Sequence, residues 1–364
     1  MAGPLTGLQV IEFGSIGPGP FCCMLLADLG ATVTRIERPQ AGQSAGSGIP
    51  PLDPPVDVLR RGKSVVFIDL KSAEGREAVL LHIRTADIVV EGFRPGAMER
   101  LGLGPDVCQQ VNPRLIYGRM TGWGGEGPLA QAAGHDINYL ALTGALDAIG
   151  NAGQPPTVPL NLVGDFGGGG LMLAFGLLSA IHERARSGLG QVVDAAMVDG
   201  ISVLLASLHG LRSFGLEAGS RGTNLIDGGC PFYGVHSCAD GRYVAVGALE
   251  APFFAQLLKL LDISDEWGQR RFDRECWPDM HDRISARFAT RDRDEWCRMA
   301  EGMDACLSPV LNTAEASAHP HALARGAFFS HEGVTQPVPA PRFSRTPPAL
   351  PGTTVTRDGE TQNG

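Results

Sequence analysis

The sequence predicts an α/β protein in which a large domain, built on a Rossmann-like parallel sheet, is accompanied by a smaller α+β domain. Three observations support this. β-rich and helix-like runs alternate through the first half of the chain. In the second half, an Asp240-Gly241 turn between two β-rich runs marks a hairpin. The length of 364 residues, with 43% hydrophobic content, favours two domains over one.

Residues 8–13 (LQVIEF) form the first short strand, followed by a loop holding Gly14, Gly17 and Gly19. Residues 21–29 have the apolar spacing of a helix, and 32–36 return to strand. Further strands are expected at 65–68, 88–90 and 115–117, separated by helical stretches at 73–85 and 96–111. This order implies a parallel sheet flanked by helices, with ligands at the carboxyl ends of the strands. Between Arg38 and Arg60 a Pro-, Gly- and Ser-rich stretch reads as a long loop. Residues 170–185 form a strongly apolar helix with Asp165 and Gly167, Gly168, Gly169 and Gly170 immediately upstream, and 191–199 lead into another helix at 200–214. The large domain is expected over 1–200, completed by 320–364, with a linker helix at 201–231 and the small domain at 232–319. The tail from Pro337 onward is rich in proline and reads as extended.

A net charge of −9 argues against a general nucleic-acid binder. No run of eighteen apolar residues escapes a Gly-rich or charged interruption, and Met1-Ala2-Gly3-Pro4-Leu5 lacks the basic-then-apolar pattern of an export signal. A soluble, cytoplasmic protein with no membrane partner is the expectation. The eight cysteines show neither Cys-x-x-Cys pairs nor metal-ligand spacing and read as reduced filler.

Two segments offer chemistry: Ala133-Gly134-His135-Asp136-Ile137-Asn138-Tyr139 and Leu162-Val163-Gly164-Asp165-Phe166. One brings an imidazole and the other a carboxylate, two groups able to exchange protons near neutral pH when their surroundings are tuned. Taken singly, each has a plainer reading, Asp165 as a helix cap and His135 as an ordinary core or surface histidine. The glycines near residue 17 begin like a dinucleotide fingerprint, but Cys22 stands at the last glycine position and Pro20 removes an amide. Arg35 and Arg38, flanking Glu37, suit a phosphate better, although Arg38 alone reads equally as a solvated surface arginine.

From end to end the chain resembles the type III CoA transferases. The resemblance is carried by Ala27-Asp28-Leu29-Gly30-Ala31, Arg35-Ile36-Glu37-Arg38-Pro39, Asp69-Leu70-Lys71, Glu91-Gly92-Phe93-Arg94-Pro95-Gly96, Arg100-Leu101-Gly102, Thr121-Gly122-Trp123-Gly124 and Gly188-Leu189-Gly190-Gln191. His135 in its Gly-His-Asp setting resembles the racemase branch of that family, because the transferases do not usually carry histidine there. The resemblance implies inversion of the α-carbon of 2-methyl-branched acyl-CoA thioesters, with His135 and Asp165 as bases on opposite faces of that carbon and Glu250 orienting the imidazole; His135 is expected to serve the S epimer and Asp165 the R epimer. Leu249-Glu250-Ala251-Pro252 departs from the family's Glu-Pro by one residue.

By the same resemblance, CoA contacts fall to Ile16, Arg38, Ile68, Lys71, Gly92, Phe93, Arg94 and Arg100; Asn161 is expected to support the Asp165 carboxylate, Tyr233 to line the acyl pocket, and Asp136 and Gly164 to support the site. It also implies an interlocked homodimer, and no metal or cofactor beyond the CoA that enters with the substrate. Removing a proton α to a thioester needs donors for the enolate oxygen, which the Asp165 amide and the glycine-rich helix start are expected to supply. The alternatives are a CoA transferase forming an aspartyl anhydride at Asp165, and a thioester-binding protein without turnover.

Overall fold

The computed structural model describes residues 3–39, 57–216, 219–352 and, as backbone, 355–357. Most of the loop expected between Arg38 and Arg60 lies outside the described residues. In chain order the elements begin β1 (Gln9–Phe13), α1 (Pro18–Asp28), β2 (Thr32–Glu37), β3 (Lys63–Phe67), α2 (Ala73–Ile83), β4 (Ile88–Glu91), α3 (Ala97–Arg100), α4 (Pro105–Val111), β5 (Ile116–Thr121), α5 (Asp136–Leu142) and α6 (Ala145–Ala148). A π-helical segment, Leu162–Leu171, runs directly into α7 (Met172–Ser187), followed by β6 (Val192–Ala196), α8 (Met197–Leu204) and α9 (Ala206–Ser213). The remainder comprises β7 (Tyr233–Ser237), β8 (Tyr243–Gly247), α10 (Ala251–Leu261), α11 (Trp277–Phe288), α12 (Arg293–Met299), β9 (Leu307–Pro309), α13 (Thr313–Ala318), α14 (Pro320–Ala324), β10 (Phe328–His331), β11 (Val334–Pro337) and β12 (Val355–Arg357).

Two compact units result: Met1–Thr143 with Leu160–Leu204 and Pro320–Gly364, and Gly144–Pro159 with Leu205–His319. Residues 144–159, expected within the large domain, group with the second unit. The Arg221 guanidinium holds them there, bonding Asp147 O at 2.7 Å and Gln154 O at 2.7 Å.

The first unit is organised by a parallel sheet in the order β12-β3-β2-β1-β4-β5-β6. β1 and β4 are apolar along nearly their whole length, as strands covered on both faces must be, with Val10, Ile11, Phe13, Ile88, Val89 and Val90 all buried. α2 and α4 cover one face through Val79, Ile83 and Cys108. The stretch expected as one helix over 96–111 is two, because Gly102 takes a positive φ of 70° and Gly104 leads into Pro105. α7 lies on the sheet with Leu173 and Leu177 over Gly118, where a Cβ would stand 2.9 Å from Leu177 Cδ2. Leu162–Ser187 is long and apolar enough by composition to cross a membrane, yet it carries this buried face.

A charged cluster is buried beneath α1. The Lys63 ammonium donates to Glu12 at 2.6 Å and to Pro20 O at 2.9 Å, while Arg35 pairs with Glu12 and, at 2.7 Å, with Glu37. Arg35, read from sequence as a phosphate candidate, is therefore a structural ion-pair residue. Its guanidinium is held by two carboxylates and Ser15 O.

In the second unit, β7, β8 and β9 form an antiparallel sheet, and Ser237 pairs with Tyr243 across the expected Asp240-Gly241 turn. Phe232, Phe254, Trp277, Met280, Ile284, Phe288 and Trp296 fill its core.

Candidate active site

The strand order places a reversal at β1, whose neighbours β2 and β4 lead the chain in opposite directions. Open α/β sheets bind ligands at such a crevice, beyond the carboxyl ends of the strands. Residues predicted to contact CoA fall at the carboxyl ends of four adjacent strands: Ile16 after β1, Arg38 after β2, Ile68 and Lys71 after β3, and Gly92, Phe93 and Arg94 after β4, with Arg100 closing α3. The β1 and β4 loops touch, since a Cβ on Gly92 would stand 3.2 Å from Ser15 Oγ. Ile16 is 68% exposed, and Arg38, Lys71, Arg94 and Arg100 are exposed. Arg38 and Lys71 form no ion pair among the described residues. The Ile68 side chain belongs to the core and offers a ligand only its backbone.

The turn after β4 is braced from below. Glu91 Oε2 accepts the Phe93 N–H at 2.8 Å, and Arg119, which also pairs with Glu99, lies 3.5 Å from Glu91 Oε1. Burial pushes the Glu91 carboxyl up to about 7, against the Phe93 amide and the Arg119 charge, which lower it.

His135 and Asp165 both lie in the long connection from β5 to β6. His135 is exposed and caps the N-terminus of α5, its N–H donating to Asn138 Oδ1 at 3.0 Å and its carbonyl accepting the Asn138 N–H at 2.8 Å. Tyr139 fixes the preceding turn. Its hydroxyl donates to Gly134 O at 2.6 Å and its ring sits edge-on to Trp123 at 4.7 Å between centroids. Only glycine fits at 134, where a Cβ would approach Tyr139 Cε1 to 2.8 Å and Trp123 Cζ2 to 2.9 Å.

Asp165 stands in the first turn of the π-helical segment, whose N-cap is Asn161, rather than upstream of a helix N-terminus. The glycines that follow it are a packing surface. A Cβ would meet Ile201 N at 2.8 Å from Gly168, Pro18 Cβ at 3.0 Å from Gly169 and Phe21 Cδ1 at 2.7 Å from Gly170. These contacts bring α1 and α8 against the segment.

The Asp165 amide, expected to face an enolate oxygen, instead donates to Asp136 Oδ1 at 2.7 Å. This amide is therefore not free to face a ligand. Burial raises the Asp165 carboxyl above its ordinary range and the Asp136 charge raises it further; the Asn161 amide, 3.5 Å away, and the His135 charge lower it. Gly17, at the N-cap of α1 with φ 72°, faces the same carboxylate, and a Cβ there would lie 3.1 Å from Asp165 Oδ2. Gly17, Trp123 and Tyr139 carry no sequence signal of a role at the site. Only the two glycines of 134 and 164 flanking His-Asp and Asp165 hinted at such close approach.

In the second unit, Glu250 is the exposed N-cap of α10. Tyr233 opens β7 and lines an open cavity of about 480 Å³ with Gly228, Gly247, Cys306 and Ser308.

Residues 5–358 match the model of CoA-transferase family III. The chain belongs to this family. It is 42% identical to the human alpha-methylacyl-CoA racemase over 95% of this chain and 88% of that protein, and 44% identical to the mouse alpha-methylacyl-CoA racemase over 94% and 87%. The crystal structure of a CAIB/BAIF family protein from Brucella suis superposes with a TM-score of 0.80 at 28% identity, covering 97% of this chain and 96% of that one.

Proposed function

We propose that this family member is an alpha-methylacyl-CoA racemase that inverts the α-carbon of 2-methyl-branched acyl-CoA thioesters by proton transfer between two bases. The observation that carries this reading is that His135 and Asp165 come from one connection of the sheet, near enough for the His135 charge to act on an Asp165 carboxyl whose proton affinity burial raises. The identity to the human and mouse racemases supports it.

One base takes the α-proton, and the C–H electron pair passes into the thioester as an enolate. The other group, already protonated, returns a proton to the opposite face of the carbon. His135 serves the S epimer and Asp165 the R epimer. The imidazolium–carboxylate and imidazole–carboxylic acid forms have the same total charge, so both directions share the pair's pH limits.

Arg38, Lys71 and Arg100 are proposed to meet the CoA phosphates and Phe93 the adenine or pantetheine, with Ile16, Ile68, Gly92 and Arg94 lining the same edge. Glu250 is proposed to orient the His135 imidazole, and Tyr233 with its cavity is the proposed acyl-side surface. A homodimer is proposed to cover the apolar side chains of Leu171, Phe175, Val203 and Leu204, each more than half exposed. The free thiols, most of them buried, fit a reducing compartment, and the cytoplasm is the proposed location.

To test the reading, a single epimer of a 2-methylacyl-CoA is incubated with the protein and an excess of a free carboxylic acid, and the products are resolved by chiral chromatography. Appearance of the second epimer with no new thioester supports racemisation. A new thioester of the added acid, with the configuration retained, replaces it with acyl transfer through Asp165.

A further inference from the structure

Asp136, the acidic residue in the first turn of α5, is buried at 8% exposure directly after the N-cap His135. Its Oδ1 accepts the Asp165 amide at 2.7 Å, with Gly164 packed against the same carboxylate. Its Oδ2 is buried without a hydrogen-bond partner. Gly164 is confined to glycine by the same contact, because a Cβ would stand 2.7 Å from Asp136 Cγ. A buried carboxylate with one oxygen unpaired is costly to keep, and such groups are retained where they position or tune another.

We infer that Asp136 is a positioning residue acting through Asp165, its carboxylate pinning the backbone that carries the proposed base and its charge facing that base. The inference deepens the racemase reading and rests on it for the role of Asp165. The bond to the Asp165 amide, with Gly164 held close against the same carboxylate, fixes where the Asp165 side chain departs from the chain. The second effect is electrostatic. Asp136 raises the proton affinity of Asp165, while burial raises that of Asp136 itself against the bond from the Asp165 amide.

The other groups acting on Asp165 are His135 and Asn161, with Tyr139 as a further titratable neighbour. α1 presents Gly17 to it, and the exposed Asp199 of α8 and Asp194 of β6 are not among the charges that shift it. A racemase base must hold a proton in one half of its cycle and lack it in the other. Proximity of a second carboxylate brings these two states closer in free energy at neutral pH.

Two variants separate the roles. Asp136→Asn keeps an oxygen to accept the Asp165 amide and removes the charge; Asp136→Ala removes both. The first readout is the titration of Asp165 in protein labelled with 13C at the aspartate carboxyls, its signal identified by its loss in Asp165→Asn. The inference predicts a lower midpoint in Asp136→Asn than in the unaltered protein. The second readout is the pH profile of kcat for each epimer. Asp136→Asn is expected to move the acid limb to lower pH, and Asp136→Ala to lose about 100-fold in kcat with a smaller change in KM. An unchanged Asp165 midpoint in Asp136→Asn overturns the inference, as does full kcat in Asp136→Ala. If Asp136→Ala fails to fold, the asparagine variant carries the test alone. The carboxyl titration needs no turnover, so a protein that racemises nothing refutes the racemase reading while Asp136 is still judged by the midpoint.

Discussion

Replacing Glu91 by glutamine should remove the pH dependence that this residue imposes on stability. The carboxyl is 5% exposed and is pushed from 4.5 to about 7, mainly by burial. Its folded-state pKa is raised, so the folded chain binds the proton more tightly than the unfolded chain does. The associated stability is therefore fully present below pH 4.5 and is lost as pH rises through 7. The shift of roughly 2.5 units corresponds to about 3 kcal/mol in full, of which about 2 kcal/mol is lost between pH 5.5 and pH 8. Glutamine can still accept the Phe93 N–H but does not titrate. Urea unfolding of both proteins at pH 5.5 and pH 8, with the pH dependence of each subtracted, isolates this contribution from every other group. The variant should gain about 2 kcal/mol relative to the unaltered protein on going from pH 5.5 to pH 8. Equal pH dependence in the two proteins would refute the reasoning. It would mean that Arg119, 3.5 Å away, fully compensates the buried charge.

Arg61→Ala should destabilise the first unit by about 3–5 kcal/mol in chemical unfolding, because it leaves the buried Asp28 carboxylate unpaired, now bonded at 2.6 and 3.0 Å. It should also quicken proteolysis in the β10–β11 hairpin, which Arg61 holds through Gln336 and Pro337 O. Gly17→Ala is expected to cost about 1–2 kcal/mol in thermal unfolding through its positive φ, and to lower kcat more than it raises KM by displacing the Asp165 carboxylate. His135→Ala should abolish α-proton abstraction from the S epimer while Asp165→Asn abolishes it from the R epimer, as followed by loss of deuterium from α-deuterated substrates.

The sheet was legible because its strands are short, apolar and separated by helix-period runs, and the hairpin because Asp240-Gly241 has the chemistry of a tight turn. The break between α3 and α4 was hidden by two glycines inside an otherwise helical pattern. The pairing of β12 with β3 was hidden by the distance along the chain. His135 and Asp165 were legible as chemistry, and their shared connection followed from the strand order. What the donors of each group were doing was not legible. The Asp165 amide and the Arg35 guanidinium each looked free in sequence, and each is occupied by a carboxylate far away in the chain, Asp136 for one and Glu12 for the other. The glycines after Asp165 read as bare amides, whereas their function is to let α1 and α8 approach. Such pairings are tertiary, and no local pattern announces them.

The central claim is that two bases exchange a proton at the α-carbon. It is tested most directly by incubating the protein in deuterated water with each epimer of a 2-methylacyl-CoA and following deuterium at the α-position together with the epimer ratio. The account predicts incorporation from both sides and convergence on one epimer mixture. Unlabelled thioester of unchanged configuration, recovered from either epimer, would contradict it.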